Sequence, residues 1–123
     1  MIKGLEAVLI GSTNATKLAK FYREVVGLKQ TMSFEMGEKG ESGYDFDLKG
    51  ANIYILDHSK VKGKSKDPSR IMFNLEVDDI EKEVDRLKKA KAKLIQDIYH
   101  VEDYGRIATF QDIDGNYFQL VQT

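Results

Sequence analysis

The stretch Thr109-Phe110-Gln111-Asp112-Ile113-Asp114-Gly115-Asn116-Tyr117-Phe118-Gln119-Leu120-Val121-Gln122 decides the fold. Its centre, Asp114-Gly115-Asn116, is turn chemistry: glycine reaches backbone angles closed to other residues, and Asp and Asn bond their own backbone. Flanking it, Arg106–Gln111 and Tyr117–Gln122 read as strands. In the second, Phe118 and Leu120 alternate with Tyr117 and Gln119, so one face is apolar and the other mixed.

Working outward, Asp79–Ala90 places Ile80, Val84 and Leu87 on one helical face. Asp78 followed by Glu81 has capping-box spacing, and Lys88, Lys89 and Lys91 crowd the far end, where the helix dipole favours positive charge. A strand precedes this helix (Arg70–Val77) and another follows it (Leu94–Val101). The first half has the same order. A helix from Asn14 to Val26 carries Leu18, Phe21, Tyr22 and Val25 as its apolar stripe, with Asn14 as N-cap and Gly27 as its left-handed end. Strands are expected at Ile2–Ile10, Leu28–Met36, Tyr44–Leu48 and Asn52–Leu56, punctuated by Gly43 and Lys49-Gly50. The order β-α-β-β-β therefore occurs twice, which implies an α+β fold with helices on one face of a curved sheet. The expected layout is one domain over 1–123: module 1 at about 1–57, a solvated, lysine-rich linker at 58–69, and module 2 at about 70–123.

Composition narrows the function. With 123 residues there is room for one domain. A net charge of −1 argues against a nucleic-acid partner, which calls for a basic excess. No apolar run approaches the ~20 residues of a membrane helix, and the N-terminal residues do not read as a secretory signal. The absence of cysteine excludes disulfides, thiolate metal sites and a cysteine nucleophile. A cytoplasmic protein is expected.

The residues also resemble a known family. Phe21-Tyr22 and Val26-Gly27-Leu28-Lys29 resemble the opening helix motif of the glyoxalase/bleomycin-resistance/extradiol-dioxygenase (vicinal oxygen chelate) superfamily. Ile71 to Val77 with Asp78-Asp79 is similar to its second strand-to-helix start, and Asp112-Ile113-Asp114-Gly115-Asn116 to its Asp-Pro-Asp-Gly-Asn turn. Ile113 replaces the usual proline, and Lys91 a usual glycine at the end of the second helix. The resemblance implies two βαβββ modules forming a cup-like mixed sheet with helices on the outer face, and a homodimer.

Metal-dependent relatives hold an ion with side chains from the first and fourth strands of each half. The corresponding positions here are Ala7, Tyr54, Met72 and Gln119. A one-residue slip offers Glu6 for Ala7, but alternation would turn that side chain to the opposite face. Alanine has no donor atom and methionine is a poor ligand for hard cations, so neither a metal nor another cofactor is expected. His58 and His100 stand beside loops without a partner ligand and read as surface residues.

Alternation directs Leu9, Asn52, Tyr54, Leu56, Met72, Asn74, Tyr117 and Gln119 to the concave face, with Glu76 at its rim. Ile53, Ile55, Ile71, Phe73, Leu75, Phe118 and Leu120 are assigned to the core beneath the helices. Apolar walls with a few directed polar groups suit a small organic ligand. Tyr99, His100, Glu102, Asp103, Tyr104 and Arg106 form either a charged hairpin or a lid whose Arg106 grips a carboxylate. Asp45 and Asp47 read as solvent-facing, since Tyr44, Phe46 and Leu48 claim the buried side. The expected site is thus Leu9, Asn52, Tyr54, Met72, Asn74, Arg106, Tyr117 and Gln119, serving a metal-independent small-molecule binder. The alternative is a glyoxalase-type lyase or isomerase with a divergent metal site, using Glu6, Glu76 or Asp45 as base.

Overall fold

The computed structural model describes residues 1–36 and 39–123. The chain divides into two compact units, Met1–Gly63 and Lys64–Thr123. In the first, β1 (Ala7–Ser12) leads into α1 (Ala15–Lys20), which runs on as a π-helical turn (Phe21–Val26). Then come β2 (Gln30–Met36), β3 (Glu41–Asp47) and β4 (Asn52–Asp57). The sheet order is β1-β4-β3-β2, with β1 and β4 parallel and the other pairs antiparallel. The second unit repeats it with β5 (Asn74–Glu76), α2 (Ile80–Lys89), β6 (Lys93–Val101), β7 (Gly105–Gln111) and β8 (Tyr117–Gln122), ordered β5-β8-β7-β6. This is the expected α+β arrangement of two βαβββ modules.

The first helix begins where Asn14 accepts a hydrogen bond from Lys17 N at 3.1 Å, as its cap position requires. Its last turn widens: Gly27 N and Leu28 N both donate to Tyr22 O, and Gly27 ends it at φ 94°. Ala15, Leu18, Ala19 and Tyr22 are fully buried on the face toward β3 and β4, where Phe46 and Ile55 are fully buried too. Each such large apolar side chain contributes about 1.5–3 kcal/mol by leaving water. On the same side, Tyr44 stays half-buried because its hydroxyl meets Thr16 Oγ1 at 2.7 Å.

In module 2, Ile80, Val84 and Leu87 of α2 are buried, as are Phe110, Phe118 and Leu120 on the facing strands. Phe118 stacks between Phe73 at 6.3 Å and Phe110 at 6.0 Å, ring centroid to centroid. Lys91 takes φ 68°, the left-handed state expected of a residue standing in for glycine.

Three expectations need correction. The first strand of each module is shorter than its apolar pattern: β1 starts at Ala7 and β5 at Asn74. Ala7 pairs with Asn52, the first residue of β4, and Asn74 pairs with Gln119 near the start of β8. Ile71, assigned to the core, lies outside β5 and is 79% exposed. The helical cap is Asp79, accepting from Lys82 N at 3.1 Å, rather than Asp78. Glu81 lies inside the helix and turns its carboxylate to Arg106 instead of closing a capping box.

Candidate functional site

Each module leaves one sheet face opposite its helix, and the expected site residues distribute over these two faces. In module 1 the cross-strand rows Ala7–Asn52–Asp47 and Leu9–Tyr54–Asp45 share that face. Leu9 is 62% exposed, while Asn52, Tyr54 and Leu56 are half-buried. Asn52 Nδ2 donates to Asp45 Oδ1 at 3.2 Å, and Thr31 Oγ1 donates to Asp45 Oδ2 at 3.2 Å. Asp45 thus belongs to the polar cluster of this face, where the sequence predicts a solvent-facing residue. Strand parity, the same signal used for its neighbours, was enough to find it.

Tyr54 donates its hydroxyl to Glu6 Oε1 at 3.0 Å. This overturns the expectation that Glu6 points away. Glu6 lies one residue before β1, so alternation within the strand does not bind it, and its side chain turns toward Tyr54. That hydrogen bond holds the Tyr54 phenol above its ordinary value, with desolvation and the negative charge of Glu6 and Asp45 adding to it.

In module 2 the corresponding row is Asn74–Gln119–Thr109, followed by Glu76–Val121–Ile107. Thr109, Ile107 and Val121 are buried, giving the face a mainly apolar floor. Gln119 Nε2 donates to Thr109 Oγ1 at 2.9 Å, and Asn74 Nδ2 donates to the Tyr104 hydroxyl at 3.0 Å. Tyr117 is half-buried two residues before Gln119, on the same face. Met72 lies ahead of β5 and is 38% exposed. Arg106 does not join this face. It pairs with Gln122 across the ladder, donates to Gln122 Oε1 at 3.0 Å, and forms an ion pair with Glu81 of α2. The carboxylate it grips belongs to its own chain, at the helix side of the sheet.

The positions of the family's metal ligands do not make a metal site. Ala7 offers no donor atom, the Tyr54 hydroxyl is given to Glu6, the Met72 thioether is soft and exposed, and the neutral Gln119 carbonyl is a weak ligand. Among the described residues no three His, Cys, Asp or Glu side chains gather as a metal-binding group. Among the described residues, concavities also lie at the ends of these rows. One, about 210 Å³, adjoins Ser12, Asp57, His58 and Lys62; another, about 410 Å³, adjoins Glu76 and the start of α2. Asp57 in the first is committed to structure, accepting from Ala15 N at 2.7 Å and Ser42 N at 2.9 Å.

Two sheet-and-helix modules, each with an open face opposite its helix, are the architecture of a known superfamily. The family model of the Glyoxalase/Bleomycin resistance protein/Dioxygenase superfamily matches residues 4–120, and the chain belongs to that superfamily. Among solved structures, SMU.1112c is similar at TM-score 0.82 and 15% identity, covering 98% of this chain and 99% of that one. TnmS3, an antibiotic binding protein from Streptomyces sp. CB03234, is similar at TM-score 0.74 and 23% identity, covering 98% and 96%. FosX, the genomically encoded fosfomycin resistance protein from Listeria monocytogenes, is similar at TM-score 0.75 and 17% identity, covering 100% and 95%. At these identities the likeness is one of fold. No curated protein matches the chain. Among the described residues no helix is long and apolar enough to cross a membrane.

Proposed function

We propose that this chain is a metal-independent binder of small organic molecules, with binding groups on the open face of each module taken by itself: Asn52 and Tyr54 on that of module 1, and Asn74, Tyr117 and Gln119 on that of module 2. The observation that carries this reading is the character of those faces. Directed amides and hydroxyls stand on partly apolar ground, while the residues at the family's metal positions lack a usable donor set. The antibiotic binding protein TnmS3 shares the fold, which supports a binding role. The binder acts as a cytoplasmic homodimer in this reading, since exposed Ile2, Leu5, Leu9 and Ile71 flank edge strands that a second copy would cover.

The test is a screen of flat aromatic fragments against chelator-treated protein, read by amide chemical shifts, with sedimentation alongside. Saturable shifts confined to the open faces and a dimer are expected. A second reading, a glyoxalase-type lyase or isomerase, is favoured by one observation: Glu6 and Asp45 bring carboxylates to the face of module 1, where a base would be needed. It calls for stoichiometric Ni²⁺ or Zn²⁺ and turnover of a methylglyoxal–thiol adduct. Inactive, metal-free protein that still binds fragments sets it aside.

A further inference from the structure

Tyr104 lies in the turn between β6 and β7, yet its hydroxyl receives the Asn74 amide of β5, thirty positions away, at 3.0 Å. In the sheet order β5-β8-β7-β6, that bond bridges across β8, which carries Gln119 beside Asn74. The backbone holds the turn in this pose. Tyr104 N donates to Val101 O, Asp103 adopts φ 63°, and Gly105 adopts φ 150°. A Cβ on Gly105 would stand 2.4 Å from Gln122 O, so the chain passes β8 as closely as glycine alone permits.

The hydrogen-bond inventory of this corner is informative. The Tyr104 oxygen accepts from Asn74 Nδ2, which leaves its own O–H as a donor. Gln119 Nε2 is directed to Thr109, so the Gln119 Oε1 carbonyl is an acceptor without a partner among the described residues, as is Asn74 Oδ1. One donor and two acceptors, all uncharged, are the complement of an amide: its carbonyl accepts from Tyr104 while its N–H groups donate to Asn74 or Gln119. The half-buried Tyr117 ring and the buried Val121 suit a flat apolar body, and the Glu76 carboxylate in the next row opposes an anion.

We propose that Tyr104, Asn74 and Gln119 form a reading triad for an uncharged aromatic molecule bearing an amide or lactam, with Tyr104 as its specificity-determining donor. This rests on the small-molecule reading above and narrows it. The turn geometry places Tyr104 before the ligand arrives, which lowers the ordering cost of binding.

The experiment uses four probes that share a ring: benzamide, benzoate, benzylamine and acetophenone, titrated into the full chain and followed by amide shifts. Benzamide is expected to shift Asn74, Tyr104 and Gln119 saturably, and benzoate is expected not to. Tyr104→Phe, at a position 46% exposed, should weaken benzamide about fivefold, the equivalent of one hydrogen bond, whereas Tyr99→Phe in the same hairpin should leave it unchanged. Equal benzamide affinity in wild type and Tyr104→Phe overturns the triad while the small-molecule reading stands. So does binding of the other three probes to the open faces without benzamide. If none of the four shifts either face, the triad falls; if the wider aromatic screen is also silent, the binding reading falls with it.

Discussion

The Tyr54 hydroxyl donates to Glu6 Oε1 over 3.0 Å, tying the middle of β4 to the residue just ahead of β1. The bond joins residues 48 positions apart and brings a carboxylate to the open face of module 1.

Its first consequence is a titration. The Tyr54 phenol is held above its ordinary value of 10.0, chiefly by the bond to Glu6. The folded chain therefore binds this proton more firmly than the unfolded chain. The stabilisation is complete below the unfolded value and is lost as pH rises through the folded one. Phenolate absorbance should include a late step from Tyr54, and Glu6→Gln should bring that step back toward the ordinary value. An unchanged profile in Glu6→Gln would remove Glu6 as the cause.

The turn between β7 and β8 is held by Asp112, a carboxylate only 5% exposed. Its Oδ1 accepts from Asp114 N at 2.9 Å and Asn116 N at 3.0 Å, and its Oδ2 from Asn116 Nδ2 at 3.1 Å. Asp112→Ala leaves those donors without their acceptor and should cost about 2–4 kcal/mol in urea unfolding. Ile113, 43% exposed in the same turn, should tolerate proline, the residue common in relatives, within about 0.5 kcal/mol.

Two glycines separate strain from collision. Gly50, at φ 100°, has open space where a Cβ would go, so Gly50→Ala should cost about 1 kcal/mol from backbone conformation alone. Gly105 adds the approach to Gln122 O, and Gly105→Ala should cost about 3 kcal/mol or more. Equal losses in thermal unfolding would contradict the close passage of β7 past β8.

Phe118, fully buried between Phe73 and Phe110, should cost about 3–5 kcal/mol when cut to alanine.

Side-chain parity carried most of this architecture in the sequence. Ile53, Ile55, Phe118 and Leu120 are buried as their alternation requires, and Tyr54 and Gln119 face the other way. What the pattern did not contain was length. Ile71 reads as core from its neighbours, but β5 spans only Asn74–Glu76, and Ile71 falls outside it. Nor did it contain long-range bonds at strand ends. Glu6 escapes alternation because it precedes β1, and Arg106, an attractive ligand clamp by sequence, is taken by Glu81 and Gln122. The helix stripe from Leu18 to Val25 was legible, whereas its widening into a π turn was not, since both windings bury nearly the same face.

Metal independence is checked by equilibrium dialysis of the purified chain against Zn²⁺, Ni²⁺ and Mn²⁺, followed by elemental analysis. The chain should retain no stoichiometric ion, and chelator-treated protein should bind aromatic fragments as well as untreated protein does. One ion per chain, lost on Gln119→Ala or Tyr54→Phe, would contradict the claim and restore a metal to these faces.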